Sequence, residues 1–492
     1  MKKMNLLVMS LVSAAALSFT SCSSNDELDG NAGQEKVDGY YMTLTVQSPN
    51  ASGTRTSVLK DTENATADEA AIKNGTLYLV KANGEIAFHE DLSGLDWSGE
   101  VKDDASKKKD GQKTFNIEVK NVEVDQTYYV YFLAGSNKPA GGMNFAATSN
   151  NFFTAAKNSF ASPFADANNF AMFNQNDADV NGKGYSVKFI KANNNLQNPA
   201  KVTYISADGN TKQKDAPIKV ERVVARIDAP SSTSAISTDD PAGASEALKV
   251  ALKDARDKVA SFELTNYAIS NLANKSYVMQ TWNSSALVIP SDKEGFSYNQ
   301  PKAAFGGDYD YQNGGFTTTA TKVNYVFENN STENPTSMYF EYKVTLKDYN
   351  GADFNDGTFY RYNNVIYTSF AKIFEDYADV PNLFGKDMTA EKMTEELKKV
   401  IGNEVELAKF REDNKIEVFK GGKTYYKQVI KDKHIAGIIQ RNSIYRLKVN
   451  NIFNVGAQVP NGKPTEENKF YYLNVTVTVN PWVLNEDNVN LQ

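Results

Sequence analysis

The side chains best suited to covalent chemistry are scarce in this chain. Its only cysteine is Cys22, and its two histidines, His89 and His434, lie far apart in the sequence. Cysteine–histidine nucleophile pairs, thiolate metal sites and disulfides all require such residues in groups. The GxSxG, HExxH, phosphate-loop and dinucleotide-binding motifs are also missing from the sequence. We therefore expect a protein that is not an enzyme and that binds no cofactor.

Cys22 lies where a secreted protein can be lipidated. Lys2 and Lys3 precede an apolar run at 6–19, which is the order of a secretory signal, and this run is too short to span a membrane. The run ends in Phe-Thr-Ser-Cys, which resembles a relaxed lipobox, in which the cysteine is acylated and becomes the first mature residue. The alternative is an ordinary signal peptide with an incidental cysteine. We predict a lipoprotein signal over 1–22, with Cys22 as the lipidated residue.

Carboxylates are the other candidates for chemistry. Residues 177–182 match the opening of a calcium-binding EF-hand loop, but the twelfth position is Lys188 instead of a bidentate glutamate. Paired acids such as Asp353 and Asp356 could in principle hydrolyse glycosides. Nothing in the sequence distinguishes them from solvated loop acids, so we predict neither a metal site nor a catalytic site.

Composition indicates a large, β-rich protein. The chain has 492 residues, enough for two or more domains, and its 26 tyrosines and 27 phenylalanines favour strands over helical bundles. Its 53 basic and 60 acidic residues give a net charge of −7. No basic block is interleaved with aromatic residues, so we do not expect a nucleic-acid partner.

Alternation of apolar and polar residues predicts strands along most of the chain. In the segment 40–47, Met42, Leu44 and Val46 alternate with threonines, as in a half-buried strand. The proline, asparagines and glycine after this segment break the pattern, so Arg55 lies in a loop that a protease can reach. Further strands are predicted at 76–80, 114–119, 128–133, 218–227, 260–269, 277–280, 323–328, 338–346, 415–419, 423–430, 443–449 and 473–479.

Helical signals are few. Helical turns are predicted around 152–160, and one helix is predicted from an N-cap at Thr389 to a C-cap at Gly402. The polar stretch 206–217, punctuated by glycine and proline, is the predicted domain boundary. We expect a mainly β fold of two β-sandwich-like domains, with Greek-key or transthyretin-like connections and a few short helices.

Four segments together resemble the fimbrillins of Bacteroidales type V pili, most closely the shaft subunit of the short (minor) fimbria. They occur in family order and read YYMTLTVQSPNASGTR at 40–55, KVERVVARI at 219–227, QRNSIYRLKVNNIFNVG at 440–456 and LNVTVTVNPWVLNEDNVNL at 473–491. The Arg-Asn-x-Ile-Tyr and terminal Val-x-Val-x-Pro-Trp patterns carry most of the resemblance. It does not extend to 231–260 or 370–415.

The resemblance implies a route of polymerisation. Fimbrillin precursors are lipoproteins of the outer membrane, and an Arg-specific surface protease cuts them behind the first strand. In this chain the cut falls between Arg55 and Thr56 and releases the lipid anchor together with the strand 40–47. The groove left by Met42, Leu44 and Val46 then accepts the C-terminal strand of the next subunit. The donor residues implied are Trp482, Leu484, Val489 and Leu491.

The implied organisation has four parts. A signal peptide at 1–22 precedes a polar tether and removable strand at 23–55, and the two sandwich domains occupy 56–212 and 213–492. The expected partners are other copies of the chain, accessory pilus subunits, the surface protease and the outer membrane. The resulting cell-surface fimbria supports adhesion and biofilm formation, through host or bacterial receptors that the sequence does not identify.

Each of these interpretations has an alternative. Arg55 could be only a solvated loop residue, and Trp482 could belong to a terminal strand that closes its own sandwich. The whole chain could instead be a monomeric glycan-binding surface lipoprotein that uses exposed tyrosines and tryptophans as sugar platforms. Within the pilus class it could be a tip or an anchor subunit. The sequence also leaves open whether the donor strand is 471–480 or 481–492.

Overall fold

The structure is a computed structural model of the chain. It describes residues 39–47, 63–64, 69, 72–92, 112–135, 152–153, 159–161, 165–166, 169–174, 184–206, 209–283, 286–294, 296–299, 301–302, 310–311, 317–318, 323–430, 439–460 and 473–483. The mainly β class predicted from the sequence is confirmed, with most described segments in strands. No helix within these ranges combines the length and hydrophobicity of a membrane span.

Fifteen strands lie in the first part of the described chain. They are β1 (Tyr40–Gln47), β2 (Glu63–Asn64), β3 (Gly75–Val80), β4 (Ile86–Asp91), β5 (Gln112–Val119), β6 (Thr127–Ala134), β7 (Ser159–Ala161), β8 (Ala165–Asp166), β9 (Asn169–Phe170), β10 (Met172–Asn174), β11 (Gly184–Lys188), β12 (Ala200–Lys201), β13 (Thr203–Ile205), β14 (Lys212–Lys214) and β15 (Ile218–Arg222).

Most of these strands join in one large sheet. Its order is β12-β1-β15-β10-β6-β11-β13-β14, with β5 on β1 and with β3 pairing both β4 and β6. The sheet folds around a core of buried aliphatic and aromatic side chains that includes Leu77, Phe132, Met172 and Val220. Alternate residues are buried in β1, as its period-two sequence pattern predicts, whereas β3 and β6 are buried along almost their whole length.

The second part of the chain contains nineteen further strands in the described ranges. They are β16 (Ala225–Asp228), β17 (Ser231–Ser232), β18 (Val259–Ser270), β19 (Leu272–Ala273), β20 (Lys275–Tyr277), β21 (Thr281–Asn283), β22 (Ala286–Val288), β23 (Tyr298–Asn299), β24 (Pro301–Lys302), β25 (Asp310–Tyr311), β26 (Thr317–Thr318), β27 (Val323–Val326), β28 (Ser337–Leu346), β29 (Phe359–Tyr362), β30 (Val365–Tyr367), β31 (Glu417–Phe419), β32 (Lys423–Val429), β33 (Ser443–Ile452) and β34 (Leu473–Val483).

Two sheets frame this part. One has the order β2-β34-β33-β16-β27, with β17 also on β33, and the other has the order β26-β18-β28-β32. Side chains from both sheets, among them Ile227, Phe340, Tyr445 and Leu447, form one buried cluster between them. This arrangement is the face-to-face packing of a β-sandwich.

A small helical unit is inserted between β28 and β32. It contains β29, β30 and β31 with the helices α2 (Phe370–Asp376), α3 (Ala390–Val400) and α4 (Glu404–Asn414), whereas α1 (Glu246–Lys258) lies earlier in the chain. The insert has its own core, in which Phe370, Leu397 and Val418 are buried. The predicted helix is found as α3, where the Thr389 side chain accepts a hydrogen bond from the backbone N–H of Lys392. The other three helices were not predicted.

The predicted single strand at 218–227 is wrong in one respect. It forms two strands, because β15 pairs with β1 and β10 in the first sheet while β16 pairs with β27 and β33 in the second. The chain therefore passes from one sheet to the other at Val223 and Val224, both of which are buried. The division into domains at 212 stays a prediction. The predicted strand at 277–280 is displaced, since β20 ends at Tyr277.

Candidate functional site

The first strand has neighbours on both sides. Along its whole length β1 pairs antiparallel with β5, from Tyr40 opposite Val119 to Gln47 opposite Gln112. Its other edge pairs in parallel with β12 at Met42 and Thr43, and with β15 at Val46 and Gln47. Taking β1 out of the sheet would therefore leave unpaired backbone groups on three other strands.

The inward face of β1 is part of the hydrophobic core. Met42, Leu44 and Val46 are completely buried, and Tyr40 is only 2% exposed. The Tyr40 ring meets Phe189 edge-to-face, with ring centroids 5.9 Å apart. Each such side chain stabilises the fold by about 1.5–3 kcal/mol when it is removed from water. Without β1, the sheet would contain an apolar slot the length of one strand.

The outward face of β1 is polar and uncharged. The Thr43 hydroxyl donates a hydrogen bond to Asn116 Oδ1 at 3.1 Å, and the Thr45 and Thr114 hydroxyls are 2.9 Å apart. These bonds are exposed and each contributes about 1 kcal/mol net. The side chains of the outward face thus stabilise β1 in the sheet much less than the buried side chains do.

The terminal strand belongs to the second sheet of its own chain. β34 pairs antiparallel with β33, from Leu473 opposite Ile452 to Pro481 opposite Ser443, with one register shift between Val449 and Asn451. At its far end, Trp482 and Val483 pair in parallel with Glu63 and Asn64 of β2. The backbone of Trp482 therefore lies in a sheet that its own subunit forms, which is the alternative considered for it above.

Glu69 ties the segment behind the predicted cleavage loop to the second sheet. Its carboxylate accepts hydrogen bonds from Arg226 Nη1 at 3.1 and 3.2 Å and from the Tyr325 hydroxyl at 2.8 Å. Its backbone carbonyl accepts one from Arg222 Nε at 2.9 Å. Glu69 is 2% exposed and Arg222 is fully buried. β2 and Glu69 together hold the chain behind Arg55 against the second sheet.

Arg222 and Arg226 were expected to make surface or inter-domain contacts, and the structure shows Arg222 making contacts between the two sheets. Arg222 Nη1 donates to Asn442 Oδ1 at 3.0 Å, although Arg222 lies in β15 of the first sheet. Burial lowers the pKa of Arg222 to about 9, opposed by the negative charge of Glu69. Burial also raises the pKa of Tyr325, and its hydrogen bond to Glu69 adds to the rise. Tyr325 therefore stays a neutral donor to the carboxylate.

The Arg-Asn-Ser-Ile-Tyr motif builds the other half of the junction. Arg441 forms a buried ion pair with Glu328 at 2.8 Å and donates to the carbonyl oxygens of Tyr277 and Val278, both at 2.6 Å. Asn442 has a φ of 55°, a left-handed conformation that asparagine tolerates better than most residues, and its N–H donates to Val224 O. The motif is thus a structural connector between the sheets.

Tyr445 completes the motif. Its hydroxyl accepts a hydrogen bond from the backbone N–H of Gln440 at 2.8 Å, while its ring is fully buried in the second core. This bond closes the turn that orients Arg441 and Asn442. Sequence reasoning singled out the motif but gave no role to Glu69 or Glu328, because their partners lie more than a hundred residues away in the chain.

Several predicted site residues lie outside the described residues. These are Cys22, Arg55, Thr56, Leu484, Val489 and Leu491, together with the EF-hand-like segment 177–182. The roles predicted for them stay predictions.

The two candidate acids have local structural roles. Asp353 Oδ2 accepts a hydrogen bond from Phe370 N at the start of α2, and Asp356 Oδ1 accepts one from Thr358 N. In the described ranges, no group of three or more His, Cys, Asp or Glu side chains is placed to hold a metal ion.

The C-terminal part of the chain matches a known family. Residues 417–488 match the model for the C-terminal region of fimbrillin, described as major fimbrial subunit protein type IV. This match confirms the resemblance to fimbrillins. The matched segment runs from β31 through β34, so it includes the junction motif and the terminal strand. No curated protein matches the chain significantly.

Solved structures with similar folds include a fimbrilin from Porphyromonas gingivalis, which is 14% identical with a TM-score of 0.46. The alignment covers 92% of this chain and 99% of that one. A proposed cell adhesion protein from Parabacteroides distasonis is 13% identical with a TM-score of 0.48, over 90% of this chain and 99% of that one. With TM-scores below 0.5, these likenesses add nothing to what the family match supports.

The Glu69 cluster generates a stability prediction for this fimbrillin-like chain. Glu69→Ala removes a carboxylate from a buried cluster that contains Arg226, and we expect unfolding to become easier by about 3–5 kcal/mol. The matched control is Glu85→Ala, which removes an exposed ion pair with Lys81 and should cost below about 1 kcal/mol. Chemical denaturation of the purified chain measures both values. Equal losses in the two variants would contradict the role given to Glu69.

Proposed function

We propose that this chain is a structural subunit of a cell-surface fimbria, made as an outer-membrane lipoprotein and assembled by strand exchange after cleavage at Arg55. The family match supports a role as a fimbrial subunit at the cell surface. The observation that carries the finer proposal is β1, a strand with four buried side chains and neighbours on both edges. An empty slot of that kind is a template for strand addition.

Cleavage at Arg55 would free β1 and leave the chain beyond the cut in place. The segment beyond the cut is held by β2 on β34 and by Glu69 on Arg226. The released fragment would carry Cys22 and its lipid together with β1. The subunit would then leave the membrane with an open slot and an otherwise intact fold, as expected of the shaft subunit of a short fimbria.

The incoming strand would come from the C-terminus of the next subunit. Trp482 and Leu484 fall on one face of a regular strand, whereas Val489 and Leu491 fall on the other. A donor that buries all four needs an irregularity between them, where Asn-Glu-Asp-Asn stands at 485–488. Because β34 includes Trp482 within its own sheet, residues after Val483 are the part best placed to leave the subunit. Contacts of this head-to-tail kind do not close, so they give filaments.

The first test is the site of cleavage. Arg55→Ala should leave a lipidated monomer, whereas the unmodified chain should form SDS-resistant ladders and begin at Thr56. N-terminal sequencing of the surface-exposed protein and gel analysis of whole cells measure both. Arg55→Lys is the matched control, since it retains the charge but is not a substrate for a strictly Arg-specific protease. A mature terminus at Cys22 with saturable glycan binding by the monomer would favour the glycan-binding lipoprotein instead.

The second test separates the terminal strand from the tail. Removal of 484–492 leaves β34 complete, so we expect a normally folded and processed monomer that forms no ladders. Removal of 481–492 also shortens β34, so this variant should in addition unfold at lower denaturant concentration. Ladders from the shorter deletion would show that the tail is not the donor.

The third test uses the fate of β1. Leu44→Ala should destabilise the precursor by about 2–5 kcal/mol, because it opens a cavity in the core. The mature filament should resist SDS and heat like the unmodified one, because it no longer contains residue 44. Thr45→Ala, on the outward face, is the control for the precursor. A filament weakened by Leu44→Ala would mean that β1 stays in the assembled subunit.

A further inference from the structure

The sheet around β1 has a basic outer surface in an acidic protein. The segment 183–219 contains seven lysines and two aspartates, although the whole chain has a net charge of −7. Lys188, Lys191, Lys201, Lys212 and Lys214 are exposed, and Lys219 is partly exposed. Their ion pairs with acids are few: Lys188 pairs with Asp125 at 3.1 Å and Lys201 with Asp215 at 2.5 Å, and all four side chains are about half exposed or more. Exposed pairs of this kind are weak.

Two of these lysines line the slot that β1 occupies. Lys201 lies opposite Thr43 in the β1–β12 pairing, and Lys219 lies opposite Gln47 in the β1–β15 pairing. Both point to the outer face, since their neighbours Ala200, Val202, Ile218 and Val220 are buried. Among the described residues, Lys219 has no acid within ion-pair distance. β1 itself carries no charged residue, so along this edge only Lys201 has an acid partner, the exposed Asp215.

The opposite side of the slot determines where an acid would fit. On β5, the outward residues facing β1 are Glu118 opposite Tyr41, Asn116 opposite Thr43 and Thr114 opposite Thr45. An acid beside Glu118 would be repelled. An acid placed on the outer face from Thr43 to Gln47 would instead lie beside Lys201 or Lys219, with only neutral side chains on its other side.

The tail of the chain offers the matching charge. Residues 484–492 read LNEDNVNLQ, and their only charged residues are Glu486 and Asp487. We propose that the lysines beside β1 recognise Glu486 and Asp487 of a neighbouring copy and guide its tail into the slot. This inference rests on the proposed strand exchange and adds a charge-dependent step to it. Complementary charges act mainly on the rate of encounter, and their effect falls with salt.

The test reverses the charges on each side separately and then together. Lys201→Glu with Lys219→Glu should lower the rate of ladder formation about 10-fold, and so should Glu486→Lys with Asp487→Lys. The combined four-fold variant should recover most of that loss, which a folding defect would not allow. Lys253→Glu with Lys409→Glu is the matched control, because both lysines are exposed and paired to an aspartate at 2.6 Å but lie on helices of the second domain.

The readout is the ratio of SDS-resistant polymer to processed monomer over time, in cells with equal amounts of surface protein beginning at Thr56. Assembly of the slot-lysine variant at the rate of the control would overturn the proposal. Loss without recovery in the combined variant would also overturn it. Failure of strand exchange itself is distinguishable, since ladders would then persist in Arg55→Ala cells.

Discussion

The structure depends on one constraint, which is that a strand inside a sheet must have both of its backbone edges paired. β1 pairs its backbone with β5 on one side and with β12 and β15 on the other. Its side chains Met42, Leu44 and Val46 fill the core beneath these strands. Backbone groups that lose their partners beside buried apolar surface destabilise the protein, because water in a narrow slot cannot replace the lost hydrogen bonds. A first domain that loses β1 must therefore gain an equivalent strand or remain open to association.

The buried charged residues between the two sheets, in contrast, fix the chain in place. Glu69, Arg222 and Arg226 each make several hydrogen bonds or ion pairs, and removing Glu69 would leave the fully buried Arg222 without the acid that offsets its burial, although Arg226 would keep Asp228. Glu69 thus keeps the chain beyond the predicted cut fixed on the second sheet. The change proposed for assembly can therefore be confined to β1, because separating the buried cluster around Glu69 as well would cost more free energy than removing that strand alone.

The sequence predicts the strands of this protein better than their pairing. Alternation in 40–47 and 473–479 gives the strand type of β1 and β34, because one face of each strand is apolar and the other is polar. The alternation cannot show that β15 and β16 join different sheets, since the apolar run continues through Val223 and Val224, where the chain crosses between them. The roles of Glu69 and Glu328 are equally hidden, because a lone acid in a polar segment looks solvated until its distant arginine is known. The helices α2, α3 and α4 share an insert whose core is separate from both sheets, and of these only α3 was predicted, from its N-cap Thr389 and its apolar face.

In the proposed assembly, proteolysis would matter for exchange even though it would break no contact of β1. While the chain is intact, β1 is tethered to its own slot, and its effective concentration there far exceeds that of any strand from another molecule. A neighbouring tail with similar contacts cannot compete under those conditions. If the bond behind Arg55 were cut as proposed, β1 would be held only by its eight residues, and its departure would become a dissociation into dilute solution or into the membrane with the proposed lipid. The competing tail, in contrast, stays attached to a folded subunit whose β34 is paired with β33 and β2. The proposed cut would therefore change the balance between two similar strands by removing the advantage of the tether, and it would need no change in the slot itself.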